Sequence, residues 1–182
     1  NIGNGYLKQK NLPKAFDYYT KAKSSFEKHP NPRALGEWYN NIGLYYKAAN
    51  QPEKAIENWN AAIETFKTIE DKFGIADSYI YLSQLFLEQN KLPLAMQNAN
   101  NSLALAKEIN VLEQIVISEK LLSDIYAKQN NPLLAFQHFK LYSQAKDSLT
   151  NEEHIRRSVE EELMFEFEKR ETIQQKEIEK KE

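Results

Sequence analysis

Apolar side chains recur along the first four fifths of the chain at the spacing of helical faces. Ile42, Tyr46 and Ala49 fall three or four residues apart, and after a short polar break Ala55, Ile56, Trp59 and Ile63 do the same. This predicts two amphipathic helices joined by a tight turn. The break is Asn50-Gln51-Pro52. Asn tolerates the left-handed backbone of a helix C-terminus, and Pro suits the first helical turn, where no amide proton is needed. The same punctuation occurs at Asn11-Leu12-Pro13, Asn90-Lys91-Leu92-Pro93 and Asn130-Asn131-Pro132.

The punctuation is periodic. Ala15, Ala55, Ala95 and Ala135 lie 40 residues apart, as do Gly3, Gly43, Ser83 and Ser123, and as do Tyr6, Tyr46, Phe86 and Tyr126. Three columns with one period identify a helical hairpin repeated four times. The small residue of the first helix is expected to face the Ala of the second where the axes cross, with aromatic rings filling the wider gaps on either side.

This arrangement resembles the tetratricopeptide repeat, whose motif sets a small residue, an aromatic three positions on, then Ala and a further aromatic. The second repeat carries it as Tyr39, Ile42, Gly43, Tyr46, Ala55, Trp59 and Ala62. The first reads Ile2, Gly3, Tyr6, Ala15, Tyr19 and Ala22, and the fourth Leu122, Ser123, Tyr126, Ala135 and Phe139. The third keeps Tyr79, Leu82, Ser83, Phe86 and Ala95 but places Ala99 where an aromatic belongs, with Ser102 as its last small residue. A period of 40 against the usual ~34 implies longer helices. The resemblance implies an all-α, right-handed solenoid of about four hairpins over residues 1–149, followed by a long charged C-terminal helix over 150–182. Asn1 falls inside the first helix, so the chain reads as a fragment of a longer protein. Tyr142 occupies the last small position of the fourth repeat, and the columns continue as Leu163, Glu166 and Gln175, so no fifth repeat is expected.

The C-terminal segment has a different pattern. Thr150 and Glu153 match a capping box, which allows a new helix to start there, although continuation of the preceding helix fits as well. Ile155, Val159, Leu163 and Phe167 form one stripe, thickened by Met164 and Phe165, and are expected to dock on the last hairpin or on a partner. Beyond Phe167 only Ile173 and Ile178 are strongly apolar, among pairs such as Glu166/Arg170 and Glu177/Lys181. Such a helix buries little against its own domain, so pairing with a second copy or connection to a further segment is expected, with a coiled coil as one form.

Composition narrows the chemistry. The 182 residues include no Cys and carry a formal net charge of −2, which removes disulfides, thiolate metal sites and a cysteine nucleophile and gives no footprint for nucleic acid. Residues 151–182 hold seven basic and eleven acidic side chains; the Arg156-Arg157 pair among them reads as a solvated surface. No apolar run is long enough to span a bilayer. His29, His138 and His154 are far apart, and no metal, phosphate or nucleophile motif is present. His154 is followed by Ile155 and not by the acidic residue that directly follows a phosphoacceptor histidine, so it reads as a surface residue; His29 reads as exposed and His138 as structural. No catalytic residue, cofactor or metal site is expected.

Binding remains. In the family resembled, the first helix of each repeat lines the concave face, which here places Asn4, Lys8, Asn40, Asn41, Leu44, Lys47, Ile80, Tyr81, Gln84, Lys120, Asp124 and Lys128 along a groove. Asn4, Asn40, Asn41 and Gln84 can bond the backbone of an extended peptide; Leu44, Ile80 and Tyr81 can hold its apolar residues. The carboxylate clamp of chaperone-binding members is not expected, because Asp77 and Tyr81 stand where two basic residues are needed. Lys146-Asp147-Ser148-Leu149 with Asn151-Glu152-Glu153 and the Glu/Lys-rich helix looks like the sensor portion of bacterial two-component histidine kinases with such repeats. That resemblance implies a periplasmic protein or peptide sensor that relays or dimerises through Ile155, Val159, Leu163 and Phe167. A cytoplasmic transcriptional regulator or adaptor is the alternative.

Overall fold

The structure, a computed structural model, describes residues 2–28 and 30–179, except for the side chains of residues 25, 27, 28, 166–168 and 170–179. Among the described residues eight helices follow one another: α1 (Ile2–Lys8), α2 (Leu12–Lys28), α3 (Pro32–Ala48), α4 (Pro52–Lys67), α5 (Lys72–Glu88), α6 (Leu92–Glu108), α7 (Leu112–Lys128) and α8 (Pro132–Glu179). They pair as four hairpins, α1/α2, α3/α4, α5/α6 and α7/α8, and each hairpin packs on the next. The odd-numbered helices also approach one another directly, α1 to α3, α3 to α5 and α5 to α7, whereas among the described residues the even-numbered ones do not. Closer spacing on one side curves the stack and puts the odd-numbered helices on its inner face. The fold is an all-α helical solenoid.

Every hairpin turn is closed the same way. Lys10, Asn50, Asn90 and Asn130 have positive φ between 55° and 58°. The amide of the residue after each donates back to the carbonyl of Tyr6, Tyr46, Phe86 or Tyr126 at 2.8–3.0 Å, so carbonyls left over at the helix end find donors. In the first turn it is Lys10, not Asn11, that takes the left-handed conformation. Asn11 caps α2 instead, its Oδ1 accepting the Lys14 amide at 3.3 Å, because it directly precedes the first residue of α2, whereas Asn50, Asn90 and Asn130 stand two residues before theirs. Two turns between hairpins copy the geometry, with Glu70 and Asn110 at φ of 54° and 53°.

The small column works in two ways. A Cβ on Gly3 would lie 2.7 Å from the Tyr19 ring, and one on Gly43 would overlap the Trp59 indole. In the first two repeats the small residue therefore makes room for the second helix's aromatic rather than for its Ala. Ser83 and Ser123 do face the Ala column, each hydroxyl donating to the carbonyl of Ala95 or Ala135 at 2.9 Å. The third repeat has no ring to admit, since Ala99 is fully buried in its place. The fourth has Phe139 in this column, and that residue is 49% exposed.

Helix α8 begins by packing on α7. Glu119 of α7 is 1% exposed; Lys107 Nζ lies 3.0 Å and His138 Nδ1 2.7 Å from its two oxygens. The His138 ring stacks on Tyr126, which confirms a structural role for this histidine. Past Leu149 the helix continues without a break. No new helix starts at Thr150, whose hydroxyl donates to the Lys146 carbonyl at 3.0 Å and so serves the running helix in place of a cap. Residues 151–165 are all exposed. The stripe residues Ile155, Val159 and Leu163 do not dock on the last hairpin; they stand in solvent. The Phe167 side chain and His29 lie outside the described residues.

Candidate functional site

The inner face is held together by side chains that bridge one first helix to the next. Asn4 Nδ2 donates to Asn41 Oδ1 at 2.7 Å, joining α1 to α3, while Asn4 Oδ1 accepts the Tyr19 hydroxyl. Lys47 pairs with Glu88 at 2.7 Å between α3 and α5. Lys128 reaches the Leu87 carbonyl at the end of α5, where a cation suits the helix dipole. Lys120 and Asp124 pair with each other along α7. Lys8 is exposed and Gln84 half-buried.

Three of the expected groove residues are elsewhere or only partly available. Ile80 is 3% exposed and belongs to the core, because its side of α5 turns toward the second helices. Leu44 is half-buried against that core. Asn40 is buried between α3 and α5, its Oδ1 accepting the Ser78 hydroxyl at 2.8 Å; only its edge reaches the groove. Adjacent Asn41 is more open, since neighbours on a helix point about 100° apart.

A cavity of about 310 Å³ opens on this face between α3 and α5. Its position has a packing cause. The Phe66 ring sits between Gly36 and Gly74, where a Cβ on either glycine would come within 2.6 Å of it, so α3 and α5 approach across a single ring. The cavity is lined by Asn4, Asn40 and Asn41, by Arg33 and Glu37 of α3, and by Asp71, Asp77 and Tyr81 near or on α5. Arg33 Nη2 lies 3.2 Å from Asp71 Oδ2, and Asp71 Oδ1 caps α5 by accepting the Gly74 amide. Asp77 Oδ1 accepts from Gln114 Nε2 at 2.7 Å, and the same nitrogen donates to the Phe73 carbonyl.

The cavity is electronegative. Burial, with help from Asp71 and Glu113, holds the Asp77 carboxyl above the usual carboxylate range, although the Gln114 bond works against that. Tyr81 is pushed up to about 12 by burial and by Asp77 beside it. One guanidinium faces three carboxylates, and it is already paired. Glu37 was missing from the groove expected from sequence, and Asp77 entered it only as a residue standing in place of a clamp cation; the two share one column 40 residues apart, which is the signal that could have joined them.

No family model matches the sequence, and no curated protein matches it. Among solved structures the chain is similar to the crystal structure of BtubC (BKLC) from P. vanneervenii, with a TM-score of 0.72 at 15% identity, over 82% of this chain and 62% of that one. The chain thus spans about three fifths of the length of that protein. At this identity the likeness speaks for the helical architecture alone.

Proposed function

We propose that this chain is a tetratricopeptide-type interaction module whose inner face binds an extended segment of another protein. In this reading it forms the sensing region of a bacterial two-component histidine kinase, and α8 passes the bound state to a second copy or to further domains. The observation that carries the reading is the inner-face cavity, to which three successive first helices contribute Asn4, Asn40, Asn41 and Tyr81. Among the described residues the Nδ2 atoms of Asn40 and Asn41 and the Tyr81 hydroxyl have no hydrogen-bond partner in the chain. Unpaired donors in a concave, partly desolvated site favour a ligand that supplies main-chain carbonyls. Relay requires the ligand to prefer one arrangement of α8 over another.

Panning a random peptide library on the purified chain tests the reading. Selected peptides should lose binding to Asn41→Ala and Tyr81→Ala, and keep it for a substitution on the outer face such as Lys54→Ala. Selected peptides indifferent to both inner-face changes would overturn the proposal.

A further inference from the structure

We infer that the cavity between α3 and α5 takes a basic side chain of the bound segment, arginine in preference to lysine. The inference rests on the groove reading above and adds the ligand's chemistry. Two groups carry it. Among the described residues Asp77 and Glu37 line the cavity without a paired cation, while Arg33 pairs with Asp71, a residue only 9% exposed. Asn40, 7% exposed, lines the cavity as well; its Oδ1 accepts from Ser78, and its Nδ2 has no hydrogen-bond partner among the described residues. The site therefore offers carboxylate acceptors at one side and an amide donor at the other. A guanidinium between Asp77 and Glu37, with its own main-chain carbonyl on Asn40 or Asn41, meets both demands at once. Arginine fits better than lysine because its planar fork bonds two acceptors and is less strongly hydrated than an ammonium. The Tyr81 hydroxyl beside Asp77 adds a further polar group at the cavity wall.

The free protein bears a cost that a bound cation relieves. A carboxylate held in a partly desolvated site beside Asp71 and Glu113 is destabilising by itself, so Asp77 disfavours the empty fold and favours the occupied one. A purely structural Asp77 would behave in the opposite way, through its bond from Gln114. Asp77→Asn separates the two roles, because the amide keeps an oxygen for Gln114 while removing the charge.

The test uses the whole chain and a positional-scanning peptide array in which arginine, lysine or the uncharged isostere citrulline is fixed at each place in turn. Peptides with a fixed arginine should bind best, with citrulline weaker by roughly tenfold or more. Asp77→Asn should erase that difference while raising the melting temperature of the free protein. Array peptides that bind but show no preference for arginine over citrulline overturn this inference and leave the groove reading intact. No peptide binding at any position overturns both. An Asp77→Asn variant that keeps the arginine preference, or melts below the wild type, refutes the role given to Asp77.

Discussion

Gly43 and Gly5 form a matched pair with opposite surroundings. A Cβ at Gly43 overlaps the Trp59 ring, whereas one at Gly5 meets nothing within 4 Å. Gly43→Ala should therefore cost about 1–3 kcal/mol through overpacking, and Gly5→Ala should gain up to about 1 kcal/mol from helix propensity. Urea unfolding followed by circular dichroism checks this; equal effects would mean that Trp59 does not need the space. Asp77 makes a prediction of its own. A carboxyl raised above its ordinary range holds its proton more tightly in the folded state than in the unfolded chain. That contribution is fully present below the unfolded value of about 3.9 and is lost as pH rises through the folded value. The stability gain of Asp77→Asn should thus be small in acid and grow toward neutral pH, and a gain that does not vary with pH would contradict it. The Gly and Ala columns were legible from spacing because each small residue answers to a local neighbour. The cavity was not, because its width is set by Phe66 lying between two glycines 38 residues apart, Gly36 and Gly74, which no single column reveals.

The helices themselves were legible because Asn and Pro recur near their ends at intervals of 39–41 residues. The turns between hairpins were harder to read. Glu70 occupies the left-handed position that Asn110 fills one repeat later, and a glutamate there carries no sequence signature. Left-handed backbone costs a residue with a Cβ about 1 kcal/mol more than glycine. Glu70→Gly should accordingly stabilise the chain by up to about 1 kcal/mol, and Asn50→Gly by less, since Asn tolerates the conformation. Melting curves of the two variants decide it; a destabilised Glu70→Gly would show that the turn is held by the Glu70 side chain. The continuity of α8 also escaped a unique reading. A hydroxyl at Thr150 suits either a cap or a bond to Lys146, and only the path of the preceding turn chooses between them.

Seen whole, the molecule divides into a packed stack and an exposed rod. Because residues 151–165 are all exposed, removing residues 150–182 should leave the melting temperature of the solenoid nearly unchanged. If Ile155, Val159 and Leu163 serve a second copy, the same deletion should convert dimer to monomer in analytical ultracentrifugation. Loss of several degrees in the melt would place the C-terminal half of α8 within the fold instead. No helix among the described residues is long and apolar enough to cross a membrane.

The unbroken passage of α8 from the fourth hairpin to Glu179 has a mechanical consequence. Its first part, residues 132–149, is clamped along ~27 Å, and the remaining 30 residues reach ~45 Å beyond. A stiff beam pivoting at the near end of its clamp multiplies movement toward its tip. A tilt that displaces Leu149 by ~1 Å swings the far end by more than twice as much, so a sub-ångström adjustment where the hairpins meet arrives at the tip as a change that a neighbouring molecule can register.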